Sequence, residues 1–238
     1  GPGLFRSQEN LAARGVRDLR DVIAQPPGVD ITRSGAASSQ SRVVIRGIDS
    51  NAGAATSAIY IDDTPIQARN SSLNYNGSTV PYIFDLDRVE VLRGPQGTLF
   101  GASSQGGAIR FITPTPGLTE FSAYGRASVN VVDGGDAGYE VGAALGGPII
   151  SDVLGFRVSA YRRYDGGWID RQSWQDPTDR ETNVNSTKTF VARASLLLQP
   201  TDWLSISPSY YRQELDFRDP APLRLGCQLG RAPGRGRG

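Results

Sequence analysis

From Phe121 onward the chain alternates apolar and polar residues with a period of two, the spacing of a strand with two unlike faces. Phe121, Ala123, Ala127, Val129 and Val131 share one face, and Ser122, Arg126, Ser128 and Asn130 the other. Tyr139, Val141, Ala143 and Leu145 then stand against Glu140, Gly142 and Ala144, with a turn expected from Gly146-Gly147-Pro148 to near Ser151-Asp152. Leu154, Phe156, Val158 and Ala160 oppose Arg157, Ser159, Tyr161 and Arg163. After a long polar stretch, Phe190, Ala192, Ala194, Leu196 and Leu198 alternate with Val191, Arg193, Ser195 and Leu197. A fifth strand is expected over Leu204 to Leu215, weakened by Pro208, which removes a ladder donor.

The first half is patterned differently. Leu11, Leu19, Val22 and Ile23 have helical spacing that Pro26-Pro27-Gly28 stops. Short strands fit Val29 to Ile31, Val43 to Ile45, Ala58 to Ile61, Val89 to Leu92 and Ala108 to Ile112, joined by loops rich in Ser, Asn, Gly and Ala. Pro114-Thr115-Pro116-Gly117 marks the change of pattern, so a small mixed domain over residues 1–118 precedes the strands of 119–220.

Two architectures fit the later strands. Short turns at about 147–153 and 199–203 flank a long loop, Asp165 to Thr187, an asymmetry expected of an outer-membrane barrel. Tyr161, Tyr164, Trp168, Trp203, Tyr210 and Tyr211 fit an aromatic girdle at its rims. A soluble antiparallel sandwich also alternates, and periodicity alone weighs the two equally. The absence of an apolar run of about 18 residues excludes a transmembrane helix but not a barrel, and the mean hydropathy of −0.32 is compatible with one.

Composition narrows the chemistry. The formal net charge is +1 with the 24 acids nearly balancing dispersed bases, which argues against nucleic acid as a partner. There is no histidine, so a Cys/His zinc site and the usual triad base are missing, and Cys227 has no intrachain disulfide partner. Gly94 to Thr98 lacks the Gly-Lys-Ser/Thr ending of a phosphate loop, and Gly101-Ala102-Ser103-Ser104-Gln105 lacks the second glycine of a nucleophile elbow. No enzyme, cofactor or metal site is expected; Asp62 and Asp63 read as turn formers.

The segment VEVLRGPQGTLFGASSQGGAIRFIT, Val89 to Thr113, with VVIRG at Val43 to Gly47 and AIYIDDTPI at Ala58 to Ile66, resembles the plug of TonB-dependent outer-membrane receptors. Gly47, Gly94, Gly97, Gly101, Gly106 and Gly107 carry the motif, and Pro95 fixes φ after Gly94. The fold implied is an α+β plug domain followed by antiparallel β strands of an incomplete outer-membrane β-barrel. A 22-stranded barrel needs a plug, and at about 20 residues per strand its wall takes roughly 440 residues.

The resemblance implies a receptor in the outer membrane of a Gram-negative bacterium. Its role would be active transport of a ferric siderophore, cobalamin or an oligosaccharide, driven by the TonB–ExbB–ExbD complex; the alternative is a non-transporting binding or signalling module built on a plug-like domain. No TonB box is recognisable in Gly1 to Asn10. Arg46 and Arg93 resemble plug arginines that pair with carboxylates on the barrel wall, with Glu90 as a further partner inside the plug. The loops Arg33 to Gln40, Asn51 and its neighbours in Asp49 to Thr56, and Gln67 to Val80 would face outward, offering Arg33, Asn51, Arg69, Asn70, Tyr75 and Asn76 to ligand. The chain has no methionine and no signal peptide at its start, and the 221–238 tail, ending RAPGRGRG, breaks the strand pattern. The expectation is a truncated chain whose last residues are read out of frame.

Overall fold

The structure, a computed structural model, describes residues 4–7, 27–33, 41–48, 56–66, 81–95, 97–101, 104–172 and 180–218. The N-terminal domain holds β1 (Leu4–Ser7), β2 (Val29–Arg33), β3 (Ser41–Ile45), β4 (Ser57–Ile61), β5 (Thr64–Pro65), β6 (Arg88–Arg93), the helical turn α1 (Gly97–Phe100) and β7 (Gly107–Ile112). One sheet has the order β1-β6-β7-β4-β5, and β2 pairs β3 in a separate hairpin. Within the five-stranded sheet only β4 and β7 run parallel.

Each of the five short strands expected from the sequence is present, within two residues at either end. β1 was not expected, and the helix expected around 11–23 lies outside the described residues. Among the described residues, helix is limited to the single turn α1. Ile45, Ile59, Val89, Val91, Ile109 and Phe111 are fully buried and form the core with Val29, Val43 and Leu86. At about 1.5–3 kcal/mol for each large apolar side chain removed from water, this cluster is the main source of stability for the domain.

The second sheet is an antiparallel meander of β8 (Ser122–Asn130), β9 (Gly138–Ile150), β10 (Leu154–Asp165), β13 (Ser186–Thr201) and then β14 (Leu204–Ile206) and β15 (Ser209–Arg218), both paired with β13. A small hairpin, β11 (Arg171–Gln172) with β12 (Arg180–Glu181), sits in the long loop. Two expectations need correction. Gly146-Gly147-Pro148 does not start the turn: β9 runs on to Ile150, and a register shift between Leu154 and Gly155 accommodates the proline opposite Gly155. The fifth strand is split at Ser207-Pro208, because proline has no N–H to give; its carbonyl still accepts from Leu196 N at 3.0 Å.

The faces of this sheet are inverted relative to a soluble sandwich. Val141 is 50% exposed while its neighbour Glu140 is 6% exposed, and Val158 at 43% adjoins Arg157 at 8%. Leu145, Phe190 and Leu196 follow Val141 outward, while Thr189, Arg193 and Ser195 are buried on the inner face. The polar face is therefore the covered one, lying against the N-terminal domain, and the apolar face is left open. A sheet folding in water would do the opposite, whereas one bounded by lipid would do this.

Candidate functional site

The two sheets meet along Pro81 to Asp87, the segment just before β6. Ile83 and Leu86 turn into the N-terminal core, which leaves Tyr82, Phe84 and Asp85 to face the meander. Tyr82 N donates to Gln213 Oε1 at 3.0 Å, and its carbonyl accepts from Tyr211 Oη at 2.9 Å. Backbone polar groups at the contact are thereby satisfied from β15.

Phe84 is the apolar centre of the contact. Its ring stacks on Tyr161 of β10, with centroids 5.3 Å apart and planes 16° apart, and lies 5.2 Å from the Tyr124 ring of β8. The Arg126 guanidinium sits over it at 5.4 Å, a cation–π arrangement. Gly142 of β9 floors the pocket, where a Cβ would fall 2.6 Å from the Phe84 ring. Glycine is needed there for space, not for its backbone freedom.

Asp85, 1% exposed, accepts from Arg157 Nε at 2.5 Å and Nη2 at 2.6 Å, a bidentate grip completed by Arg157 Nη1 donating to Ser122 Oγ at 2.9 Å. Removing one member of so buried a pair costs about 3–5 kcal/mol, because it strands the other charge. A second bridge runs from Arg193 Nη2 to Asp62 Oδ2 at 3.6 Å. Asp62 takes a left-handed conformation, φ +52°, in the turn between β4 and β5, and also accepts from Thr113 N at 2.8 Å and Thr113 Oγ1 at 2.9 Å. Arg126 Nε lies 3.1 Å from Glu140 Oε1, an ion pair out of hydrogen-bond alignment, while Tyr161 Oη donates to Glu140 Oε2 at 3.0 Å.

The sequence-derived candidates lie elsewhere. Arg46 is exposed, in a left-handed turn with Gly47, and its Nη1 would be 3.5 Å from a Cβ at Gly94, so the VVIRG and LRGP segments adjoin. Arg93 Nη1 donates to Pro27 O at 3.2 Å. Glu90 is buried, paired with Arg88 Nε at 2.8 Å and Arg110 Nη1 at 2.9 Å, and Arg110 continues to Asp63 at 2.7 Å. Donation to the carboxylates of Glu90 first and Asp87 second holds the pKa of the Arg88 guanidinium above its ordinary value.

Of the motif glycines, Gly94 N donates to Gly106 O and Gly106 N to Thr56 O, which ties β6 to the start of β7. Gly107 has φ +151° and faces the Leu92 carbonyl so closely that no Cβ fits. Gly97 opens α1, and Gly101 N closes that turn on Gly97 O at 3.0 Å. Asn51, Arg69, Asn70, Tyr75, Asn76, Cys227 and the 221–238 tail lie outside the described residues, as does the side chain of Arg33.

The girdle expectation is corrected for two of its members. Tyr161 and Tyr211 face inward to Phe84 and Tyr82, drawn there by stacking and by a carbonyl acceptor. Trp168, Trp203 and Tyr210 are exposed, and Tyr164 packs on Tyr139 at 5.9 Å. Among the described residues the ion pairs between the two sheets, Asp85–Arg157 and Asp62–Arg193, take their carboxylates from the N-terminal domain and their arginines from the meander, and they involve neither Arg46 nor Arg93. Arg157 and Arg193 were not singled out by the sequence; simple alternation placed them on the polar strand faces, and that is the one signal bearing on them.

Residues 6–108 match the family model of the TonB-dependent receptor plug domain. The chain is similar to the pesticin receptor of Yersinia pestis, 30% identical over 178 residues that make up 74% of this chain and 24% of that protein. It is also similar to the vitamin B12 transporter BtuB of Vibrio vulnificus, 27% identical over 75% of this chain and 26% of that one. Among solved structures, the ferric yersiniabactin uptake receptor FyuA from Yersinia pestis superposes with a TM-score of 0.67 at 26% identity, covering 90% of this chain and 31% of the receptor. The chain thus spans about a quarter of the length of these curated relatives.

Proposed function

Residues 6–108 belong to the TonB-dependent receptor plug family, and from that premise we propose that the chain is the plug and first wall strands of an outer-membrane receptor for active uptake of a large scarce nutrient of the ferric-siderophore class. The observation that carries this reading is the inverted sheet, with its arginine-bearing polar face seated on the plug and its apolar face open. A non-transporting module with a soluble sheet would leave Val141, Leu145, Val158 and Leu196 in water without purpose. Relatives with names such as ferripyoverdine receptor and siderophore receptor PirA support the substrate class.

In this reading the plug closes the lumen and the TonB–ExbB–ExbD complex supplies the work that shifts it. No bond is made or broken in the cargo, so the protein is a transporter and not an enzyme. Arg33, Asn51, Arg69, Asn70, Tyr75 and Asn76 are proposed as ligand contacts, and Arg46 and Arg93 as partners of carboxylates on further wall strands. The test is iron-limited growth and uptake of radiolabelled ferric siderophores by a strain lacking the full-length receptor, with and without complementation. Uptake dependent on both the receptor and TonB is expected; a receptor found wholly in the soluble fraction would refute the proposal.

A further inference from the structure

The inner face of the wall carries four arginines arranged as a descending series. The strand register places Arg163, Glu140 and Thr189 in one row, then Arg126, Gly142, Tyr161 and Val191, then Tyr124, Ala144, Ser159 and Arg193, then Ser122, Gly146, Arg157 and Ser195. Successive rows are two residues, about 6.8 Å, apart along a strand. Each row therefore holds one arginine, from the long-loop end down to the short turn at 151–153.

Their partners are divided unequally. The upper two are neutralised within the wall, Arg163 by Asp165 at 2.7 Å and Arg126 by Glu140 at 3.1 Å. The lower two rows contain no acidic residue of the wall among the described residues, and Arg193 and Arg157 take their carboxylates from the plug, Asp62 and Asp85. Any movement that withdraws the plug removes those two anions together. It leaves two adjacent guanidinium groups, on neighbouring strands and on a face of serine, tyrosine, alanine and glycine, with no carboxylate in those rows among the described residues.

We infer that Arg157 and Arg193 form a substrate-relay site that is masked by the plug carboxylates and, once unmasked, takes oxyanion groups of an acidic cargo. The inference rests on the receptor reading above and adds the charge class of the substrate. Guanidinium forks bind carboxylate oxygens in the same bidentate geometry that Asp85 adopts in the closed state, and donate singly to lone oxyanions. The same pair then recaptures Asp62 and Asp85 when the cargo leaves. Plug and cargo compete for one site, which couples passage to reclosure.

The test uses the full-length receptor in planar bilayers, with the plug displaced by urea and ion selectivity read as a reversal potential across a KCl gradient. The wild-type open state should favour chloride. Arg157→Gln with Arg193→Gln should lower the chloride-to-potassium permeability ratio by roughly threefold or more, while the double lysine variant keeps it. Asp62→Asn with Asp85→Asn leaves the wall untouched and should open at lower urea with chloride preference retained. An unchanged ratio in the glutamine variant, or potassium preference in the asparagine variant, overturns the relay. Failure of urea to open any pore overturns the receptor reading itself.

Discussion

Phe84 occupies the volume that a side chain at position 142 would otherwise fill: its ring lies where a Cβ on Gly142 would come within 2.6 Å. The two residues belong to different sheets, so the absence of one side chain is what admits the other.

Gly142→Ala should therefore unseat the plug without unfolding the wall. Overpacking of this kind costs about 1–3 kcal/mol. Cells carrying the variant in the full-length receptor should become more sensitive to a large hydrophilic antibiotic. Gly125→Ala is the control, since its nearest neighbour is the Gly142 carbonyl at 3.8 Å; equal sensitivity of the two variants would contradict the role assigned to Phe84.

Asp85 and Arg157 should behave as one unit. Each single alanine substitution is expected to destabilise the plug–wall contact by about 3–5 kcal/mol, because it buries an unpaired charge. The double substitution should cost clearly less than the sum, with a coupling of about 1–3 kcal/mol. A double-mutant cycle on thermal denaturation of the detergent-extracted receptor measures it, and additive losses would show that the pair is idle.

Gly107→Ala combines a forbidden φ with a clash against the Leu92 carbonyl. The register of β6 on β7 cannot be kept, so the protease-resistant plug product of the wild type should vanish on limited proteolysis. Retention of that product would mean the backbone there relaxes more readily than its geometry implies.

Arginine scanning of the open face should reveal a depth profile. Leu145→Arg, at the middle of β9, is expected to cost about 2–4 kcal/mol, and Val129→Arg, near the end of β8, about 0–1 kcal/mol. Loss of heat-modifiable mobility on gels reports the difference. A flat profile would argue that this face does not meet lipid.

Local pattern made much of the architecture legible. Val43 to Ile45 and Ala58 to Ile61 are apolar runs bounded by turn residues, so their extent is set by neighbours in sequence and could be read there. Arg157, Arg193 and Glu140 were likewise placed on the correct face by simple alternation. What escaped was identity across distance. Nothing near Asp85 announces that its partner lies 72 positions away, and Arg46 and Arg93 were the more conspicuous charges because they flank glycines. Tyr161 and Tyr211 misled for a related reason: a tyrosine near a strand end suits a lipid interface or a buried hydroxyl equally well, and only the neighbour across the gap decides.

The contact between Tyr82 and Gln213 joins residues 131 positions apart, which gives the seat a place in time as well as in space. Loops this long close late, and local hairpins such as β9 with β10 can form well before them. Phe84 and Asp85 gain their full set of neighbours only when β8, β9, β10 and β15 are all laid down in register. A wall assembled one strand out of step would offer Phe84 a side chain instead of Gly142, and Asp85 a serine or an apolar residue instead of Arg157. The seat for Phe84 and Asp85 is thus complete only on strands that are all in register.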